Sequence, residues 1–367
     1  MLNEMYIDNK QATYQVWEKN IYQPIGLNDL ELLGTFFDAH QRILFLCAAG
    51  GYLYHLSYNV IENKLSNSLK RSAKLPETIY NAKVYELNEN IVKWYLLGET
   101  NIYQLEVERS TFVGKLIPYP KRYYPRDITI ENKLHEGGSL VVFDRLPWVI
   151  GGKDFKNGIN TSRRLFTGGC YFTNPGYTQC PGRVEHNFLS HERTSPIVHM
   201  YDDKFICIGG NSSSQPENIM EFINIRPYYP IPRHGQARED DATRVFTTLR
   251  SIVAYSNKNC GLQTTSPSPA SCLFLNSIFI FTNQIFNKKP IYYKYNFNNG
   301  GTWEFLVPEV DDPKSLSFTS ANAITIGKDI YLILFNAVSN KNVTEYMINE
   351  VPAKEGTTIS IYKIKEI

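Results

Sequence analysis

His186, His191 and His199 lie close together in the sequence. Two imidazoles can hold a transition metal only where the backbone brings both to one site. The simpler reading is three turn or loop residues, and no metal ligand is expected among them. Six cysteines stand at 47, 170, 180, 207, 260 and 272. Cys47 and Cys207 fall inside apolar runs, ILFLCA and FICIGG, and read as small buried hydrophobes. Cys170 with Cys180, and Cys260 with Cys272, form two loop-like pairs that lack the C-x-x-C spacing of a zinc site. Either pair could close a loop disulfide in an oxidising compartment. The opening stretch MLNEMYIDNK has no basic head followed by an apolar run. Free thiols and an intracellular location are therefore the expectation, with secretion as an effector the alternative. The sequence contains no H-E-x-x-H, no P-loop, no G-x-G-x-x-G opening a helix and no G-x-S-x-G. No catalytic set and no cofactor are expected.

Two other segments carry recognition chemistry instead. One runs Tyr119-Pro120-Lys121-Arg122-Tyr123-Tyr124-Pro125-Arg126, the other Arg226-Pro227-Tyr228-Tyr229-Pro230-Ile231-Pro232-Arg233-His234. Their prolines place them in loops or at sheet edges, because proline cannot donate to a ladder. Their mixture of Arg and Tyr is that of interaction hot spots. The candidate partner-binding residues are Arg122, Tyr123, Tyr124, Arg126, Arg226, Tyr228, Tyr229, Arg233 and His234. The structural alternative is that both are linkers between repeated units, with arginine bonding loop carbonyls. Aromatic and basic side chains can also stack single-stranded nucleic acid. Lys and Arg number 38 against 36 for Asp and Glu, a net charge of +2. That lacks the basic excess of a nucleic-acid binder, and such a partner is not expected.

The elements that must position these loops read as strands. Aromatic residues make up 13% of the 367 residues, with Tyr 25 and Phe 20, and aromatic and β-branched residues favour strands. No run approaches about 18 apolar residues, so no membrane span is expected. Short apolar runs recur instead, most ending in small residues or Asn. They are Ile43–Cys47 before Gly50-Gly51, Trp94–Leu97 before Gly98, Trp148–Ile150 before Gly151-Gly152, and Phe205–Ile208 before Gly209-Gly210. Weaker copies are Ile278–Phe281 before Thr282-Asn283, and Ile330–Phe335 before Asn336. Counted between the residues that end the runs, the steps are 48, 53, 58, 73 and 53 residues. The long step holds a Gly/Ser/Thr/Pro-rich stretch that reads as an inserted loop near 255–272, although FTTLRSIVA at 246–254 has the pattern of further strands.

The runs are too short for helices and read as strands buried on both faces. A buried strand, then glycines, then another strand, at a period near 50, is the pattern of a propeller blade. The fold class predicted is all-β. The chain, residues 1–367, is read as one β-propeller domain of six four-stranded blades, five and seven being the alternatives. The most complete copy runs from Arg193 through Asp202-Asp203-Lys204 to Gly209-Gly210, and it resembles the kelch repeat. The stretch from Tyr295 to Trp303 and Pro308 looks like the second half of that repeat, as does Tyr6–Trp17 more loosely. Gly50, Gly51, Gly98, Gly151, Gly152, Arg193, Gly209, Gly210 and Trp303 are the structural motif positions. The Trp17 strand has no apolar partner run before it, and it is expected to pair with the C-terminal strand Ile359–Ile364.

The resemblance implies a scaffold or adaptor that binds a protein or peptide through rim loops, without catalysis. A different class is a propeller enzyme. The Asn296–Trp303 stretch also resembles the Asp-box of sialidases, with Asn296 and Asn298 in place of the Ser and the Asp, and sialidases act on glycans. Galactose oxidase is a kelch-type propeller that holds copper with Tyr and His. Fold alone does not decide between these classes.

Overall fold

The computed structural model describes residues 12–25, 27, 29–66, 69–119, 137–143, 145–152, 165–167, 183–185, 189, 193–201, 204–210, 219–224, 251–256, 269–286, 289–297, 302–309, 316–337 and 357–365. Among these residues the chain is all-β, with almost no helix. No helix is long and apolar enough to cross a membrane.

β1 (Ala12–Ile25) comes first in the chain. β2 (Glu31–Phe37), β3 (Arg42–Ala49) and β4 (Tyr52–Asn59) then form an antiparallel meander. β5 (Lys64–Leu65) and β6 (Lys70–Lys74) pair in turn with the two ends of β4. The next meander is β7 (Ile79–Leu87), β8 (Ile91–Gly98), β9 (Ile102–Glu108) and β10 (Gly114–Pro118). It is followed by β11 (Gly138–Phe143), β12 (Leu146–Gly151), β13 (Leu165–Thr167) and β14 (Arg183–Glu185). Then come β15 (Ile197–Tyr201), β16 (Lys204–Ile208), β17 (Ile219–Asn224) and β18 (Ser251–Ser256). The chain continues through β19 (Ala270–Phe274), β20 (Ser277–Phe286), β21 (Lys289–Asn296) and β22 (Thr302–Glu309). β23 (Ser320–Ile326), β24 (Asp329–Ala337) and β25 (Thr357–Lys365) are the last strands.

Every apolar run singled out in the sequence is the second strand of its meander: β3, β8, β12, β16, β20 and β24. The physical reason is position. A second strand has a ladder on both edges and side chains packed on both faces, so it keeps few polar residues. Residues 255–256 end β18 and residues 270–272 begin β19. The predicted loop at 255–272 is thus shortened at both ends, and its interior at 257–268 lies outside the described residues. The strand pattern at 246–254 is realised in part as β18.

β1 pairs antiparallel with β25, from Trp17↔Ile364 to Ile25↔Thr357. This is the pairing expected for the Trp17 strand. The sequence did not suggest its other half: Ala12–Val16 runs parallel to β22, with Ala12 opposite Phe305 and Val16 opposite Glu309. One strand therefore joins the last two meanders into an eight-stranded sheet.

The contacts fall into two compact units. The first comprises residues 1–76, 111–113 and 265–367, the second 77–110 and 114–264. In the first, β24 is buried on both faces, and its alternation decides what it touches. Tyr331, Ile333 and Phe335 pack with Phe45, Cys47 and Tyr58. Ile330, Leu332 and Leu334 pack with Phe279, Phe281 and Tyr292. In the second, the β11–β12 hairpin plays the same part. Leu140 and Val149 pack with Tyr95, Leu97 and Tyr119. Val141, Trp148 and Ile150 pack with Val198, Phe205 and Cys207, and the Trp148 ring stands 5.5 Å edge-on from Phe205. Each such large apolar side chain contributes about 1.5–3 kcal/mol when fully buried.

Candidate functional site

The motif of 193–210 builds a structural joint in the second unit. Arg193 precedes β15, and its backbone carbonyl accepts a hydrogen bond from Gly152 N at 3.0 Å. Ser195 N donates to the Gly137 carbonyl at 2.6 Å. The glycines at the ends of β12 and β16 are what let the chains come this close. A Cβ on Gly151 would lie 2.6 Å from the Arg193 carbonyl oxygen, and one on Gly210 would lie 2.8 Å from that of Thr194. Both have positive φ, +73° and +93°, a region open to glycine at little cost.

The Arg193 side chain completes the joint. It is buried, and it donates Nη1 to the Gly209 carbonyl at 2.7 Å and Nη2 to Glu221 Oε1 at 2.5 Å. Glu221 is also fully buried. An ion pair out of water needs partners for its remaining groups, and the Gly209 carbonyl is one. Arg193, Gly151, Gly152, Gly209 and Gly210 thus come together. The other glycines act separately. Gly50 and Gly51 have positive φ in open space and serve only the turn. Gly98 instead makes room for Glu77, whose carboxylate would meet a Cβ there. That carboxylate accepts hydrogen bonds from Thr100 N and Asn101 N at 3.1 and 3.0 Å. Trp303 lies on β22, opposite Tyr295 on β21, so the second-half motif is a hairpin.

Three cysteines are described, and all are buried free thiols: Cys47, Cys207 and Cys272. Burial pushes Cys207 and Cys272 up to about 12 and raises Cys47 well above the usual thiol range. Cys272 sits in β19 as a free thiol, and Cys170, Cys180 and Cys260 lie outside the described residues. The Tyr/Arg segments lie outside the described residues: Arg122, Tyr123, Tyr124, Arg126, Arg226, Tyr228, Tyr229, Arg233 and His234. His186 and His191 lie outside them too. Among the described residues no three His, Cys, Asp or Glu are grouped to hold a metal.

The structure adds Lys83 and Asn81 on β7, which the sequence did not flag, and places His199 in β15 rather than in the expected turn or loop. Lys83 on β7 pairs with Tyr95, and Asn81 pairs with Leu97. Directly paired residues share a face of the sheet. Tyr95 and Leu97 pack onto Leu140 and Val149, so Lys83 and Asn81 rise on the face turned toward β11. β11 contacts β7 and also β15, and β15 carries His199, which feels the Lys83 charge. Lys83 is exposed, and desolvation by its neighbours lowers its pKa. Burial first, and the Lys83 charge second, push His199 down to about 3, so it is neutral at pH 7. The only trace of this in the sequence is a lysine in the middle of YNAKVYEL, indistinguishable from an ordinary surface residue.

In the first unit, His55 on β4 is buried to 2% exposure, and neither ring nitrogen has a hydrogen-bond partner. Its ring lies 5.6 Å from that of Phe112, a residue held at φ +60°. Burial pushes the imidazole down to about 3.

No protein-family model and no curated protein matches the chain.

Proposed function

We propose that the chain is a six-bladed β-propeller of kelch type, working as a non-catalytic scaffold or adaptor that holds a protein or peptide partner through its rim loops. The observation that carries this reading is the joint at Arg193. There the glycines after one second strand receive the backbone that leads into the next meander, which is how successive blades of a propeller are stitched. The recurrence of antiparallel meanders, each with its apolar run second in order, supports it as well. Of the Arg/Tyr/Pro segments, 119–126 stands between β10 and β11, from one meander to the next. Segment 226–234 stands between β17 and β18 within one meander, and is not the inter-repeat linker that the sequence suggested. The composition of both suits protein recognition.

The test replaces Arg122, Tyr124, Tyr229 and Arg233 together with alanine. The variant is expected to unfold at the wild-type denaturant midpoint and to lose at least about tenfold in affinity for a partner captured by the wild type. A folded variant with unchanged affinity would overturn the rim-loop reading. A variant that fails to fold would assign the four residues to the connections that hold the strands together rather than to partner binding.

A further inference from the structure

We propose that β6 is an open sheet edge that takes an extended acidic peptide as an added strand. β5 and β6 lie in line along one side of β4, with Lys64 opposite Asn59 and Lys74 opposite Tyr52. Together they form one edge of the first sheet. Among the described residues β6 pairs with β4 alone, so the N–H and C=O groups on its other side are open to a further strand. The fold uses such an edge elsewhere: β22, the fourth strand of its meander, accepts Ala12–Val16 of β1 in a parallel ladder. Charge decides what the β6 edge accepts. Residues 64–74 read KLSNSLKRSAK, with four cations and no carboxylate. Lys64, Lys70, Arg71 and Lys74 are all exposed, and no ion pair engages them among the described residues. The Arg71 guanidinium lies 3.4 Å above the Tyr52 ring, which holds that charge against the sheet. Lysine at an edge opposes pairing with a like-charged copy, and the same charge attracts a strand that carries carboxylates. A nucleic acid or an anionic lipid surface would use the charge but not the ladder, whereas a peptide uses both. A bulge at Ser72 interrupts β6, so the added ladder is short and the charges carry much of the affinity. None of the Arg/Tyr/Pro segments takes part, so this edge stands or falls apart from the rim-loop reading.

The experiment is fluorescence anisotropy with the full chain at pH 7 and about 0.1 M salt. The probe is a labelled peptide of about eight residues that alternates Glu and Thr, long enough to span β6. Saturable one-to-one binding is expected. A twin with Gln in place of Glu should bind at least about tenfold more weakly. So should the Glu/Thr peptide with every backbone nitrogen methylated, which keeps the carboxylates and removes the ladder donors. Lys70→Glu combined with Lys74→Glu should weaken the Glu/Thr peptide at least about tenfold, while Lys115→Glu on β10 leaves it close to wild type. Circular dichroism checks each fold, and Lys70→Gln with Lys74→Gln replaces the charge reversal if that variant does not fold. Equal binding by the methylated peptide would leave a bare charge contact and overturn strand addition. Oligothymidylate or phosphatidylserine vesicles that bind more tightly than the peptide would give the edge to a nucleic acid or a membrane and overturn it too. A wild-type dimer broken by the charge reversal would give it to a second copy, with the same result. Absence of saturable peptide binding to the wild type, or equal binding by the charge-reversed chain, would also sink the proposal.

Discussion

Gly50 and Gly210 both end an apolar run, and both have positive φ. Their surroundings differ. A Cβ on Gly50 meets nothing within 4 Å, whereas one on Gly210 would lie 2.8 Å from the Thr194 carbonyl and 3.0 Å from Arg193 Cβ. Gly50→Ala should therefore cost only the left-handed conformation, about 1 kcal/mol. Gly210→Ala should cost roughly 3 kcal/mol, because backbone must shift as well. Denaturant midpoints of the two variants check this, and equal losses would remove the joint from the account of stability. His55 makes a second prediction at this scale. Its native pKa lies below the unfolded value of about 6.5, so between pH 6.5 and 3 the unfolded chain binds a proton that the native chain does not. Stability falls as the pH drops through that window, by about 1.4 kcal/mol per unit. His55→Leu should flatten the slope by one proton and leave the part due to His199. An unchanged slope would show that His55 opens to solvent before it titrates.

At the scale of elements, β1 is the strand whose loss should matter most. Its two halves serve different partners, Ala12–Val16 on β22 and Trp17–Ile25 on β25. A chain beginning at residue 17 loses only the parallel ladder and should remain a folded monomer of lower denaturant midpoint. A chain beginning at residue 26 leaves the β25 edge unpaired, beside buried Ile359, Ile361 and Ile364. Such an edge recruits other strands, so this shorter chain should elute as oligomer or aggregate in size-exclusion chromatography. A monomeric profile from both truncations would show that β1 does not protect the sheet. The parallel half could not be foreseen, because a strand of mixed polar and apolar residues carries no mark of which second edge it will meet.

On the scale of the whole molecule, each compact unit packs a doubly buried meander between two others, so each has a core of its own. A closed propeller would nevertheless couple them into one folding unit. The four tryptophans divide as Trp17 and Trp303 in the first unit, Trp94 and Trp148 in the second. Replacing either pair with Phe leaves fluorescence probes in one unit only. The two variants should then report coincident unfolding transitions in denaturant. Two separated transitions would argue for independent units and against a closed ring.

Much of the fold follows from local chemistry that is present in the sequence. The apolar runs became second strands because burial on both faces and both edges excludes polar residues, and that constraint acts on the run itself. The glycine pairs stood out because a positive φ or a close backbone approach narrows the choice to one residue type, whereas Arg193 stood out only as the start of the most complete repeat copy. The surroundings of Lys83 and Asn81 are different. Lys83 is exposed, as a strand lysine reads, but the buried Oδ1 of Asn81 and the packing of β11 against β7 and β15 join elements that lie far apart in the chain. Desolvation, unpartnered polar atoms and the field of Lys83 at His199 all arise from that assembly. A sequence states which groups exist and how stiffly each prefers to lie, while distances between remote groups, and the dielectric they share, come only with the tertiary structure.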